Sequence, residues 1–370
     1  MAKSTMVPSH TMRVLHVIPA TFGETGVFGG AERYAFELAR AMSRRVQTRI
    51  VAWGRESSIQ RVEGLEVHVL GGAHYVRGQR LNPISLGLLP QLLWADVVHC
   101  HQQRVVASTS SLLVGRALGK RVFVSDLGGG GWDLSLYVTL DKLYDGHLHI
   151  SGYSARLKDQ AGTSKHVIFG GVDTDKFHPP AGGVERERTV LYVGRILPHK
   201  GIELAIRALP EGMKLKIAGT ESSPPYLAEL KRLAVGKDVE FLHGLSDLAI
   251  GDLYRGARAV VLLSLYEDMF GKRTAVPELL GQTLLEGMAS ETPAICTNVA
   301  SMPEIVTNDV TGYVVEPGDV AYLRGHFEAL RDNDELVGRL GAAARADVEQ
   351  RFVWQRVVER CLDIYAKAAP

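Results

Sequence analysis

The chain has 370 residues, is 46% hydrophobic, and carries 42 basic against 41 acidic residues, so it is long enough for two packed domains and nearly neutral. A net charge of +1 gives no footprint for a general nucleic-acid binder, and no apolar run reaches the roughly eighteen residues of a membrane span. Its three cysteines, Cys100, Cys296 and Cys361, form neither a CxxC pair nor a zinc spacing, which fits a reduced, cytoplasmic compartment.

Residues 1–12, MAKSTMVPSHTM, lack the apolar centre of a signal peptide and read as a disordered lead. RVLHVIPA then reads as a strand. After it, Ala31, Tyr34, Ala35, Leu38, Ala39 and Met42 recur at spacings of three and four, one face of a helix. In the turn between, GVFGGAER, Gly26, Gly29 and Gly30 leave backbone N–H groups free to approach an anion, or simply make a flexible loop. The spacing is not GxGxxG, so a dinucleotide site is poorly supported. TRIVAW, LEVHVL, DVVHCH, RVFVSD, GHLHIS and HVIFGG are further strands. Their alternation with helices predicts a parallel sheet covered on both faces. Within DVVHCH, alternation puts His99 and His101 on one side, with His101 nearer the carboxyl end. A strand-end histidine is more often packed or solvated than catalytic. The pair has no third ligand nearby in sequence, so zinc is discounted and no metal is expected.

The polar segment HPPAGGVERER, residues 178–188, is the best linker. After it the pattern restarts with TVLYVG, MKLKIAG, VEFLHG, ARAVVLLS, PAICT and GYVVEP, and the tail from Asp332 to near Tyr365 reads as helical. The expectation is α/β: two doubly wound Rossmann-like domains, residues 13–180 and 189–350, joined by 181–188. Residues 351–370 form a helix crossing back to the first domain. Ligands in open α/β sheets sit at the carboxyl ends of the strands, so chemistry is expected in a cleft between facing sheets.

Two stretches of the second half carry chemistry. In VLYVGRILPHKGIELAIRAL, Arg195 follows a strand and Lys200 precedes a helix whose buried stripe is Ile202, Ala205, Ile206 and Leu209. An arginine fork and a lysine point charge at such a switch suit phosphate, although a solvated basic loop is the commoner fate of such residues. Lys200 is expected to be solvent-accessible. In ELLGQTLLEGMASETP, Thr283 begins a helix with Leu284, Leu285, Met288 and Ala289 inward, and Pro293 ends the segment. Glu278 then lies on the loop and Glu286 in the first turns. Helix-start N–H groups favour phosphate oxygens, and carboxylates accept from sugar hydroxyls. The bland alternative is a solvated Glu278 and a Glu286 worth about 0.3–1 kcal/mol to the helix dipole.

Taken together, these segments resemble one family. ELLGQTLLE has the E-x7-E spacing of retaining glycosyltransferases with the GT-B fold, family 4. GGAER, DVVHCH, FGGVDTDKFHP, YVGRILPHKG, LLEGMASETPAICTNVASMPEIV and TGYVVEPGD are similar to that family's further motifs, in its order, over nearly the whole chain. The resemblance implies transfer of a sugar from a nucleotide-diphosphate sugar with retention of configuration, with no metal and no cofactor. It implies that Arg195 and Lys200 clamp the diphosphate and that Glu286 holds the ribose. Glu278 meets the donor sugar, and backbone at Gly281, Gln282 and Thr283 meets phosphate. Backbone at Leu245 meets the base, Gly29 and Gly30 approach the diphosphate, and His101 lies near the reacting sugar. His101, Arg195, Lys200 and Glu278 are therefore the catalytic candidates. Both glutamates look committed to binding, so no nucleophile is assigned.

Three departures stand out: Gly170 replaces the usual Asn before GVD, Glu291 stands where Gly is common, and a segment is added at 268–277. The last makes Glu267 compete with Glu278 for the sugar, and spacing to Glu286 favours Glu278. The alternatives are a nucleotide-sugar epimerase, a phosphorylase-like enzyme, disfavoured for want of a pyridoxal-lysine signature, or an inactive nucleotide-sugar-binding subunit. The implied acceptor is a sugar, a lipid-linked molecule or another small molecule. The implied location is cytoplasmic and admits peripheral contact with the inner membrane face, without a basic amphipathic helix to support it.

Overall fold

The computed structural model describes residues 12–21, 30–79, 82–128, 133–157, 162–180 and 185–368. All of the expected lead except Met12, the turn glycines Gly26 and Gly29, and residues 181–184 of the expected linker lie outside the described residues. The chain divides into two compact units: Met1–Ile150 with Ala155–Ile168 and Val357–Pro370, and Ser151–Ser154 with Phe169–Arg356.

The first unit is built on strands β1 (Arg13–Thr21), β2 (Gln47–Trp53), β3 (Ser58–Val62), β4 (Leu65–Leu70), β7 (Val97–His101), β8 (Arg121–Ser125), β9 (Gly146–His149) and β10 (Lys165–Val167). They form one sheet in the order β10-β9-β8-β7-β1-β2-β4-β3. All neighbours run parallel except β3, which pairs antiparallel with β4. A two-stranded pair, β5 (His74–Tyr75) and β6 (Pro83–Ile84), stands apart. Helices α1 (Gly30–Ser43), α2 (Leu88–Trp94), α3 (Val106–Ala117) and α4 (Gly152–Leu157) connect the strands. Every residue of β7 is buried, as expected for a central parallel strand covered on both faces. Leu15, Val17, Val51, Trp53, Val98, Leu112, Val122 and Val124 fill one core. Each such apolar side chain contributes about 1.5–3 kcal/mol on burial.

The second unit repeats the plan with β11 (Thr189–Val193), β12 (Lys214–Ala218), β13 (Val239–Leu242), β14 (Ala259–Leu262), β15 (Ala294–Thr297) and β16 (Gly312–Val315). The order is β13-β12-β11-β14-β15-β16, parallel throughout. Its helices are α5 (Ile202–Ala208), α6 (Pro224–Leu233), α7 (Asp247–Gly256), α8 (Gln282–Ala289), α9 (Val320–Asp332), α10 (Asp334–Arg351) and α11 (Trp354–Lys367), of which α11 continues into the first unit. Arg186, inside the segment read as a linker, is tied into this unit. Its guanidinium donates to the carbonyls of Ala257 at 2.8 Å and Ser290 at 2.9 Å. The tail from Asp332 read as helical is two helices, α10 and α11, with a break at 352–353 between them.

Strand order reverses between β1 and β7 in the first sheet, and between β11 and β14 in the second. In open α/β sheets such switch points open a crevice at the carboxyl ends of the strands. The residues after β7, β11 and β14 are therefore where ligand chemistry is to be sought.

Candidate functional site

In the second unit, Arg195 lies just past β11, exposed, with its carbonyl accepting from the Tyr192 hydroxyl at 2.7 Å. The chain then makes a tight turn over Pro198–Lys200 and enters α5 through Gly201, at φ +64°. A Cβ at Gly201 would sit 2.0 Å from the Leu263 carbonyl oxygen. Only glycine therefore lets this turn lie against the end of β14, where the Leu265 N–H donates to the His199 carbonyl at 2.8 Å. This close approach aims Lys200 at the chain leaving β14.

Lys200 Nζ meets Glu278 Oε2 at 2.8 Å, with side-chain exposures of 14% and 17%. The expectation of a solvent-accessible Lys200 is thus corrected: with its partner alongside, the ammonium is folded inward rather than left in solvent. Burial pushes the Glu278 carboxyl up, but Lys200 and the N–H groups of Gly281 and Leu279 outweigh it and hold the carboxyl below its ordinary value. His199, which sequence reasoning passed over, lies in the field of Lys200, Glu278, Arg195 and Asp268. Burial, then Lys200, lowers its pKa to about 4. The site therefore gathers Arg195, Lys200 and Glu278 around a neutral imidazole.

Helix α8 starts at Gln282, one residue before the expected Thr283, behind Gly281 at φ +88° and without a side-chain cap. The N–H groups of Gln282 and Thr283 have no hydrogen-bond partner among the described residues, and the buried Thr283 hydroxyl is likewise unpartnered. The Gln282 side chain donates to the Gly171 carbonyl at 3.1 Å. Leu284, Leu285, Met288 and Ala289 are buried, as their spacing predicts. Glu286 is buried too, 5% exposed, and accepts from the Tyr254 hydroxyl at 3.0 Å. Leu245 is half-buried in the turn between β13 and α7. Glu267 is exposed and pairs with Arg273 at 2.9 Å. Asp268 caps the loop within, accepting from the N–H groups of Phe270 at 2.9 Å and Lys272 at 3.1 Å. The added segment therefore folds on itself, and the carboxylate meeting Lys200 is Glu278.

In the first unit, Gly30 is the exposed first residue of α1, and Gly29 lies outside the described residues. His101 ends β7, 3% exposed, its ring 4.2 Å from that of His99. The expected absence of a third ligand near this pair is corrected. Strand β1 pairs with β7 so that His16 lies opposite His99, and His16 Nδ1 meets His101 Nε2 at 2.8 Å. The three rings form a buried group of the kind that holds metal ions. Both nitrogens of His99 are already engaged, with the Ser125 hydroxyl and the Tyr365 hydroxyl, each at 2.8 Å. Burial lowers the pKa of all three, that of His16 to about 3.

Residues 173–347 match the family described as glycosyl transferases group 1. That segment is a little under half of the chain, so the likeness to group 1 glycosyltransferases is one of the second unit. An uncharacterised glycosyltransferase of Methanocaldococcus jannaschii is 30% identical over 201 residues, 51% of this chain and about half, 47%, of that relative. The D-inositol 3-phosphate glycosyltransferase of Xylanimonas cellulosilytica is 26% identical over 98% of this chain and 97% of its own. Among solved structures, Anabaena HepE in complex with UDP and glucose superposes with a TM-score of 0.71 at 18% identity, over 96% of this chain and 99% of that one. The fold of the chain is accordingly GT-B, two Rossmann-like units. Its family match spans the whole second-unit site, and the histidine group lies outside it. Among the described residues, no helix is long and apolar enough to cross a membrane.

Proposed function

We propose that this protein is a glycosyltransferase, which moves a sugar from a nucleotide-diphosphate sugar to an acceptor hydroxyl with retention of configuration. The observation that carries the reading is the site after β11 and β14. There the Lys200–Glu278 pair and the exposed Arg195 gather beside a helix start where the Gln282 and Thr283 N–H groups and the Thr283 hydroxyl lack partners among the described residues. Cations, fixed N–H groups and a hydroxyl are what a departing diphosphate needs as its charge grows. Arg195 and Lys200 supply the positive charge that a divalent ion supplies elsewhere, so the reaction is proposed to be metal-independent. Glu278 accepts from donor-sugar hydroxyls, and Glu286, oriented by Tyr254, accepts from the ribose. Gly281, Gln282 and Thr283 meet phosphate, and Leu245 offers backbone to the base.

In the reaction the bond from the anomeric carbon to the phosphate oxygen breaks, and a bond to the acceptor oxygen forms on the same face. The acceptor proton passes to the leaving phosphate. Acceptor recognition, of a sugar, a lipid-linked molecule or another small molecule, is assigned to the first unit, together with His101. HepE was solved with UDP and glucose, which puts UDP-sugars first in the panel to test. A donor that binds only the folded state raises the melting temperature. Thermal shift across UDP-, GDP- and ADP-sugars is expected to single out one donor. Proton NMR of the first-formed product then reads the anomeric configuration. No shift with any donor, or an inverted product, overturns the reading.

A further inference from the structure

The proton positions in the histidine group can be deduced from one end. His16 Nε2 lies 3.4 Å from the sulfur of Met42, buried in α1. A thioether accepts hydrogen bonds and cannot donate them, so Nε2 of His16 carries the hydrogen. Burial keeps the ring neutral, so its Nδ1 is a bare acceptor. The group facing that Nδ1 at 2.8 Å is His101 Nε2, which must therefore carry its own hydrogen and donate. His101 is neutral for the same reason of burial, which leaves its Nδ1 as an unprotonated lone pair. That atom is buried and has no hydrogen-bond partner among the described residues.

A buried acceptor without a donor costs on the order of 1–3 kcal/mol, and such groups in folded proteins call for an explanation. Two neighbouring features mark the same place. The residues right after His101 are strained, with Gln102 at φ +132° and Arg104 at φ +59°. Such backbone costs on the order of 1–3 kcal/mol per residue and clusters where a site over-determines it. His101 also stands at the carboxyl end of β7, beside the β1/β7 reversal of strand order.

We infer that His16, held by Met42, is a positioning residue that fixes His101 as the Nε2–H tautomer, so that His101 presents Nδ1 to accept a hydrogen bond from a substrate hydroxyl. The ligand class is thus an O–H donor, such as a sugar hydroxyl, and not a phosphate or carboxylate oxygen, which has no hydrogen to give. The substrate half of this inference rests on the glycosyl-transfer reading, whereas the tautomer does not. Tyr365 and Ser125 perform the parallel task for His99, whose ring lies against that of His101.

Long-range 1H–15N correlation spectra of the full chain with labelled histidine, the His101 signals identified by their loss in His101→Gln, read the tautomer directly. The wild type is expected to show His101 neutral and protonated at Nε2 near pH 7. A proton on Nδ1, or an imidazolium, overturns the inference without any variant having to fold. His16→Gln keeps an acceptor for His101 and is expected to keep its tautomer. His16→Leu removes the acceptor and is expected to mix the tautomers and to lower kcat/KM by about tenfold. An unchanged tautomer in His16→Leu removes His16 from the positioning role. If the tautomers behave as expected but no sugar is transferred by the wild type, the functional reading fails and the proton assignment stands.

Discussion

At the scale of single residues, the Lys200–Glu278 pair ties stability to the site. Each side chain is mostly buried, so removing one partner strands the other's charge, at a cost approaching the 3–5 kcal/mol of fully buried pairs, about 2–4 kcal/mol here. Lys200→Met is expected to lower the unfolding free energy from urea titration by that amount, and Lys200→Met with Glu278→Gln to recover most of it, because the double variant leaves no unpaired charge. The folded Glu278 carboxyl lies below its ordinary value near 4.5. Its contribution is therefore full above that pH and is lost as pH falls through the lower folded value. The double variant should accordingly show a flatter stability profile than wild type below pH 4.5. Equal acid slopes in the two proteins would remove the pair as the cause. Donor affinity should fall in both, since neither retains the cation.

Elements were legible where one period dominated. The runs named as strands and the stripes of α1, α5 and α8 appear in the structure with ends shifted by a residue or two, except HVIFGG, read over 166–171, whose strand β10 already ends at Val167. The antiparallel edge strand β3 was missed because SIQRV is almost wholly exposed, with no buried face to write a pattern. The two-residue strands β5 and β6 are too short to carry one. Glu278 and Lys200 were both named from sequence, yet their contact, 78 positions apart, depends on β11 and β14 being neighbours. His16 was hidden for the same reason, since only the β1–β7 register sets it opposite His99.

That register has a measurable consequence. Three buried histidines with lowered pKa values bind fewer protons folded than unfolded. Stability is thus full above the unfolded value near 6.5 and falls as pH drops below it, by about 1.4 kcal/mol per pH unit for each histidine. The neighbouring Tyr365 and Ser125 stay neutral throughout, Tyr365 with its pKa raised by burial. Urea midpoints measured from pH 7 to pH 5 should fall steeply for wild type and less steeply for His16→Gln. A flat profile over that range contradicts the buried, neutral trio. On the other sheet, Gly201→Ala tests the turn that aims Lys200. The left-handed backbone alone costs about 1–2 kcal/mol, and the Leu263 carbonyl adds a clash at 2.0 Å. Melting temperature and donor affinity are expected to drop together, whereas loss of stability with unchanged donor affinity would detach the turn from the site.

On the scale of the whole molecule, the first unit is closed by a piece of chain that arrives last. Its residues from Val357 onward are separated in sequence from Ile168 by the entire second unit. Val357, Val358, Cys361 and Tyr365 of α11 are each buried to 1% exposure or less. Tyr365 packs against Phe123, ring centres 4.8 Å apart, and its hydroxyl meets His99. Its carbonyl accepts from Arg121 at 2.6 Å, and Arg360 donates to the Ile168 carbonyl at 3.2 Å. Losing one large buried side chain costs about 2–5 kcal/mol, and a domain's whole stability is about 5–15 kcal/mol. A fragment of residues 1–168 should therefore lack a native near-ultraviolet circular dichroism spectrum and a cooperative unfolding transition. Adding a peptide of residues 354–370 should restore both, and the same peptide with Tyr365→Ala should require a higher concentration, because it lacks the ring against Phe123 and the bond to His99. A fragment that unfolds cooperatively without the peptide would show that the returning helix decorates a core already complete.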